Sequence, residues 1–416
     1  MLKSTYYKYK NNELLKAVAV YTTLSFVIKG ISFLITPFFT HYITPEEFGS
    51  LNLFLTSIIF LTPIISVSSN SIINNYFNET KEVFEKKTST YLTFSFLITL
   101  LLTLITLAFS NYVTAFFTLP ISIIVVLPLT TFLSFLFDVV LLLARNESNK
   151  KRVFTATIIK TILEISLSIY FIMYLNMAGI GRILAFCLSN FLLSIWAILI
   201  LIKKYNVVIY LKLKYLKEEY KFWFSIIISF LFVIVFNVCD KYIVKAFYNK
   251  TDFGNYAFAN QLGSILLTFT GAFQLAFQPK IINELKNLKS IKTVKRLFFL
   301  ANIICFLFAI MMYFFFATLF KNFINEKYQN AWPFVKWTTL VYLFWAVLNN
   351  YLIIINYYKK VKLNYILGGT SILIIFPIQI LFAYFGIYHM LIFQLFFLII
   401  YIFILKRNLG LYGLNN

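Results

Sequence analysis

The sequence predicts an all-helical integral membrane protein of about twelve transmembrane helices. Three observations carry that prediction. The chain of 416 residues is 61% hydrophobic and only 12% charged, with mean hydropathy +0.83, whereas a soluble domain carries about 25% charged residues. Apolar runs of about 20 residues, the length that crosses a bilayer, recur from one end of the chain to the other. The basic residues collect in short polar segments between alternate runs, the pattern of topology signals beside an anionic leaflet.

Taken in order, the runs place spans at residues 17–40, 48–74, 89–110, 121–144, 153–175, 180–202, 222–247, 253–278, 297–320, 333–357, 364–385 and 387–405. The segment before them, Met1 to Lys16, is polar and basic. The run that follows it is too long for the apolar core of a signal peptide and has no clear small-residue cleavage site, so it reads as a retained first helix. The tightest separations are Asn176 to Arg182, between the fifth and sixth spans, and the hinge near Gly386 between the last two.

Orientation follows from the cations. With the N-terminus cytoplasmic, 28 of the 37 Lys and Arg lie in cytoplasmic segments. Only 4 (Arg182, Lys250, Lys321 and Lys327) lie in outer loops, and 5 lie within spans. That bias predicts both termini inside and an even number of spans. It also absorbs the net charge of +22, which therefore gives no reason to invoke nucleic acid.

The longest polar interruption between well-formed spans, residues 203–221, divides the chain into an N-terminal lobe (1–202) and a C-terminal lobe (222–416), each of six spans in the same orientation. The halves also match locally. Glu47-Phe48-Gly49-Ser50 opens the second span and Asp252-Phe253-Gly254-Asn255 opens the eighth, at an offset of 205 residues. Two parallel six-helix repeats related by an axis along the membrane normal are a known transporter architecture.

Several polar residues are candidates for function. In the second span Asn52, Thr56, Pro63, Ser66, Asn70 and Asn74 share one helical face. In the eighth, Asn260, Ser264, Gly271, Gln274 and Gln278 do the same, and Gln261 aligns with Thr56. Such faces pack on another helix or line a wet cavity. Their recurrence in repeat-equivalent spans favours a shared cavity. Pro37 and Pro63 lie inside the first two spans and are candidate hinges, because proline removes a backbone hydrogen bond and kinks a helix. Intramembrane charges cost several kcal/mol unless paired or wet. Lys29 lies mid-span with no carboxylate one turn away. It either pairs across helices, with Asp138 the candidate, or faces a cavity that receives an anion. Lys160 and Glu164, four apart on one face, are expected to neutralise each other. Asp240 and Lys241 are adjacent, point to different faces, and are expected to need separate partners.

Other chemistry finds little support. Cys187, Cys239 and Cys305 lie singly in apolar runs and read as small buried hydrophobes. No HExxH, paired CxxC, Walker A loop or GxGxxG occurs, so no metal, cofactor or nucleotide is expected.

The segment Thr44-Pro45-Glu46-Glu47-Phe48-Gly49-Ser50-Leu51, after a first span ending in Pro37 and Phe38, resembles the polysaccharide transporter family. This family comprises the O-antigen and related lipid-linked oligosaccharide flippases. They belong to the superfamily of the multidrug and toxic-compound extrusion transporters. The resemblance extends to length, span count and two-lobe layout, though the peptidoglycan-precursor branch has two further spans that this chain lacks. It implies an alternating-access transporter in the bacterial inner membrane. The implied cargo is an undecaprenyl-diphosphate-linked oligosaccharide, an O-antigen or capsular repeat unit in lipopolysaccharide or exopolysaccharide biosynthesis, carried to the outer leaflet. It implies membrane lipids and polysaccharide polymerase machinery as partners, and a cationic cavity facing the diphosphate. Lys29 matches that expectation by its place in the first span, Lys241 more weakly because it lies near the outer end of its own, and Asn70, Gln261 and Gln274 would line the cavity. A cation-coupled drug or metabolite exporter of the same fold is the main alternative, kept open by Asp138, Glu164 and Asp240. An integral-membrane polysaccharide enzyme is expected less, because the outer loops are too short to gather acid–base groups.

Overall fold

The computed structural model describes residues 30–31, 35–67, 69, 73, 76–77, 79–147, 149–286, 291–357, 366 and 368–410. The described chain is helical from end to end. Its main helices are α1 (Pro45–Ser66), α2 (Lys81–Ala108), α3 (Ser110–Phe117), α4 (Ile121–Asn146), α5 (Lys150–Ile169), α6 (Ala178–Tyr205), α7 (Leu213–Glu218), α8 (Tyr220–Ile234), α9 (Asp240–Phe247), α10 (Lys250–Lys286), α11 (Ile291–Asn322), α12 (Trp332–Tyr357), α13 (Phe376–Phe385) and α14 (Ile387–Gly410). Nine helices among the described residues are long and apolar enough to cross a membrane. Two further helical runs fill the places of the seventh and eighth spans: α8 and α9, joined through Val235–Cys239, and the long α10. The first expected span lies mostly outside the described residues.

Two compact units are present. One comprises Tyr42–Gly254 with Tyr365–Phe376, and the other the described residues of Met1–His41, Asn255–Asn364 and Pro377–Asn416. In the first unit α4 is the central helix, packed on α1, α2, α5 and α6. Its buried residues Thr131, Phe135, Val139 and Leu143 recur every four positions, so one face enters a core completed by Tyr91, Ala197 and Leu201. In the second unit α12 packs on α11 and α14. Leu266, Cys305, Phe308, Tyr342, Leu343 and Ala346 form the core there, and the Phe269 and Phe308 rings stack.

The helices keep their polar groups inside lipid by local bonding. Thr62, Thr99, Thr103 and Thr131 donate their hydroxyls to the carbonyl one turn back, which satisfies these four donors where no water is available. Elsewhere the ladder widens to π turns at Tyr170–Tyr174, Val235–Cys239 and Ser371–Ile375.

Within the expected second span the helix is broken, and the described residues beyond the break, Ser69, Ile73 and Tyr76, are helical again. Helix α1 ends at Ser66, and Val67 takes a left-handed φ of 48°. Two causes lie in the sequence. Pro63 removes one ladder bond in the last turn. The Ser-rich stretch beyond offers its own hydroxyls to the backbone, as Ser69 does to the Ser66 carbonyl. Asn70 and Asn74 fall outside the described residues. The third span runs longer than expected, because the polar turns from Lys81 to Thr88 continue its helix. The tight hinge between the last two spans is as expected. Gly386 has φ +146°, a conformation for glycine, and His389 packs against it.

Beyond the end of α4, Glu147 gathers Lys204, Tyr205 and Arg152. Burial opposes its ionisation. The hydrogen bonds from Lys204 and Tyr205, with the charges of Lys204 and Arg152, outweigh that and hold its carboxyl below the usual glutamate range.

Candidate functional site

The two Phe-Gly motifs that mark the repeat meet each other. A Cβ added to Gly49 would lie 2.8 Å from the Phe253 ring and 3.2 Å from the Gly254 Cα. One added to Gly254 would lie 1.8 Å from the Pro45 carbonyl oxygen. One turn away the Thr251 hydroxyl donates to Glu46 Oε1 at 2.8 Å. Glu46 and Thr251, like Gly49 and Gly254, are 205 residues apart. Equivalent residues touch one another only where a symmetry axis passes between them. The helix starts are built alike as well. Thr44 caps α1, accepting from the Glu47 amide at 3.3 Å and donating its own amide to the Glu47 carboxylate at 2.8 Å. At the equivalent place the Asp252 amide donates to Asn249 Oδ1 at 2.7 Å, and the Asn249 side chain donates to Asp252 Oδ2 at 2.8 Å. The first is a capping box; the second is a variant of it, closed by the Asn249 side-chain amide in place of its backbone amide.

Just before the second turn lies a buried charge pair. Asp240 and Lys241 are 1% and 6% exposed. They were expected to need separate partners; Lys241 Nζ instead lies 3.5 Å from Asp240 Oδ1, and it also donates to the Asn237 carbonyl at 2.6 Å. Neighbouring side chains diverge by about 100° on a helix. The lysine stem is long enough to curl back, and the π turn at Val235–Cys239 loosens the local ladder and presents a carbonyl to it. The next residue, Tyr242, shares a 2.5 Å hydroxyl contact with Ser57 of α1 and stacks on Phe116.

A second charge group spans α5 and α6. Glu164 pairs with Arg182 at 3.4 Å, and Arg182 also donates to the Ser168 hydroxyl at 2.9 Å. The expected Lys160–Glu164 pair is therefore not formed. Lysine N-terminal to glutamate is the poorer order for such a pair, and a guanidinium fork matches a carboxylate better than an ammonium. Lys160 instead sits 4.8 Å from the Phe137 ring centroid and makes no ion pair among the described residues. Asp138 is exposed on α4 and likewise makes no ion pair among them. Arg182, which sequence places in an outer loop, belongs to the first turn of α6. The apolar run 180–202 already contains it, and it counts among the outer-loop cations only because it stands at the outer end of that run.

The polar face of α10 is occupied by neutral bonds. Asn260 accepts from the Tyr342 hydroxyl at 2.6 Å. Gln274 donates to Asn350 Oδ1 at 2.9 Å and to the Ala346 carbonyl at 3.3 Å, and Asn350 donates on to Asn302 at 2.9 Å. Gln261 reaches the Thr36 hydroxyl at 3.5 Å, while the space beside Gly271 is open. Asn302 and Asn350 carry no helical partner in the sequence that would single them out. Pro37 accepts a bond at its carbonyl from the Thr40 hydroxyl at 2.5 Å, and Pro63 lies inside α1. Lys29 and Asn70 fall outside the described residues. No group of His, Cys, Asp and Glu suited to a metal ion occurs among the described residues.

A family model described as "Polysaccharide biosynthesis protein" matches residues 14–281. No curated protein matches the chain. Solved structures share its fold. One is the inward-facing conformation of a multidrug resistance MATE family transporter of the MOP superfamily, with TM-score 0.67, 16% identity, and 95% of this chain and 96% of that one covered. Another is the outward-facing conformation of a multidrug resistance MATE family transporter of the same superfamily, with TM-score 0.62, 16% identity and 98% of each chain covered. A third is MATE in complex with MaD3S, with TM-score 0.63, 15% identity and 98% of each chain covered.

Proposed function

Since the chain belongs to the polysaccharide biosynthesis protein family and has the fold of a MOP-superfamily transporter, we propose that it flips an undecaprenyl-diphosphate-linked oligosaccharide across the inner membrane by alternating access. One observation supports this reading above the others. The membrane carboxylates Glu164 and Asp240 each have a cation within 3.5 Å, Arg182 and Lys241, while Lys160 stands over the Phe137 ring with Asp138 near enough to feel its charge but in no ion pair with it. A cationic drug needs an open carboxylate, whereas a diphosphate needs a cation in low dielectric. Asp138, exposed on α4, is the one feature that favours a cation exporter.

In this reading the lobes divide at residues 203–221, with both termini cytoplasmic. The contact between repeat-equivalent residues at Gly49 and Gly254 supports such a symmetric pair. Lys29 would hold the diphosphate, and Lys241 would join it on leaving Asp240 and the Asn237 carbonyl, which engage it in this conformation. Asn70, Gln261 and Gln274 would line the sugar path, with Pro37 and Pro63 as hinges. The prenyl tail stays in lipid, and the polymerase machinery receives the product outside.

The test is flipping of a fluorescent undecaprenyl-diphosphate oligosaccharide in vesicles containing the purified chain. Transfer should be abolished by Lys29→Ala or Lys241→Ala, and partly kept by the Arg variants. The double change Lys29→Ala with Asp138→Ala should stay inactive. If the double change restores flipping, Lys29 is the partner of Asp138 and not of the substrate. Extrusion of a cationic dye in place of lipid transfer would overturn the proposal in favour of the exporter.

A further inference from the structure

The segment that leaves α6 does not behave as a solvated linker. Val207 and Leu216 are buried in the core with Phe84, Tyr91 and Tyr205, which pins both ends of the stretch between them. Its backbone is held along α2. The Val208 amide donates to the Ser89 hydroxyl and the Tyr210 amide to the Thr93 hydroxyl, each at 3.1 Å, and the Tyr91 hydroxyl donates to the Tyr215 carbonyl at 3.3 Å. Yet the segment exposes four aliphatic side chains. Val208 is 60% exposed, Ile209 94%, Leu211 42% and Leu213 60%. A chain with freedom to fold these inward would do so, because apolar area in water is unfavourable. This one is fastened with them outward.

Two further facts fix what covers them. Ser89 and Thr93 stand in the first two turns of the third apolar run, so the exposed aliphatics lie at the depth where a bilayer's acyl region begins. The flanking charge is basic. Lys203, Lys212, Lys214, Lys217 and Lys221 are exposed, and the nearby carboxylates are engaged within the fold: Glu218 by Lys87 and Lys214, and Glu219 by the Tyr76 hydroxyl. Burial and the Glu219 carboxylate push the Tyr76 phenol above its usual range, which keeps it a donor to that carboxylate. Apolar residues at the acyl boundary beside outward lysines are the composition of a segment that lies in the plane of an anionic membrane surface.

We propose that residues 206–217 form an interfacial anchor. It seats Val208, Ile209, Leu211 and Leu213 among the acyl chains and sets Lys212, Lys214 and Lys217 against anionic phospholipid headgroups. The anchor rests on the membrane fold alone and not on the identity of the transported molecule. Each lysine near an anionic surface adds roughly one kT-scale attraction that salt screens, so the preference should weaken at high ionic strength.

The experiment uses the full chain in vesicles of phosphatidylcholine with phosphatidylglycerol. Nitroxide labels go on single cysteines at Ile209 and, as a reference, Lys214, with Cys187, Cys239 and Cys305 changed to Ser. The label at 209 should collide more often with oxygen than with a water-soluble nickel complex, and the label at 214 the reverse. A water-like label at 209 overturns the proposal. A label at 209 shielded from both probes also overturns it, because protein then covers the segment. Headgroup selectivity is read separately on chains with native cysteines. Wild type purified from the same membranes should retain phosphatidylglycerol several-fold over phosphatidylcholine. The variant Lys212→Gln, Lys214→Gln, Lys217→Gln should retain clearly less phosphatidylglycerol than wild type. Equal retention of phosphatidylglycerol by variant and wild type would remove the anionic part of the proposal.

Discussion

The turn at Thr44 to Ser50 and the turn at Asn249 to Asn255 have the same geometry built from different residues. In the first, a hydroxyl and a glutamate close the capping box; in the second, an amide and an aspartate do. Ser50 shares a 2.9 Å contact with the Thr118 hydroxyl, whereas Asn255, in the equivalent place, is 1% exposed with both amide atoms unsatisfied among the described residues. The glycines differ most. The nearest atoms to Gly49 belong to the buried Phe253 ring, which turns about its own side-chain bonds, and the nearest to Gly254 belong to a peptide carbonyl, which does not. The repeat has kept a shape and let the chemistry drift, and equal residues at equal positions have come to tolerate very different insults.

Six substitutions measure that difference. Gly254→Ala drives a methyl into the Pro45 peptide, so it should cost more than about 3 kcal/mol and reduce the folded fraction recovered in detergent. Gly49→Ala only displaces the Phe253 ring and should cost about 1 kcal/mol, read as a small fall in Tm. Equal losses at the two glycines would break the comparison. Thr44→Ala and Asn249→Ala each remove a cap and should match each other at about 1 kcal/mol. A loss at only one would mean that the two boxes are alike in form alone. Asn255→Ala should be neutral or slightly stabilising, because it deletes a desolvated amide with no partner to lose, while Ser50→Ala should cost about 0.5–1 kcal/mol. A clear loss at Asn255 would reveal a bonding partner for its amide.

Much of this was legible in the sequence because the bilayer imposes a simple code. Apolar length and basic loops needed no tertiary information, and the Phe-Gly match marked the repeat, though not that its two copies touch. What escaped was the pairing of charges. A reading along one helix sees Lys160 and Glu164 four apart and cannot see Arg182 arriving from the next helix. It sees Asp240 and Lys241 diverge and cannot see a π turn that lets the lysine fold back. The polar stripe of the eighth span was visible, but not that Tyr342, Ala346 and Asn350 would occupy much of it, since those partners lie on α12 and announce nothing at their own positions. The early end of α1 was signalled by Pro63 and the serines that follow, and was outvoted by the apolar count.

The crossing at Gly254 also constrains how the gene can change. A clash with a side chain is relieved by trimming that side chain, so a damaging substitution at Gly49 has suppressors at codon 253. The obstacle at Gly254 is the peptide of Pro45, which every amino acid at that codon would supply. Selection for revertants of Gly254→Ala should therefore return the original glycine, or changes elsewhere that re-angle a whole helix, and should leave codon 45 untouched. A duplicated gene usually gains slack from its second copy. Here the two copies meet backbone to backbone at Gly254, and at that contact neither is free to vary without the other.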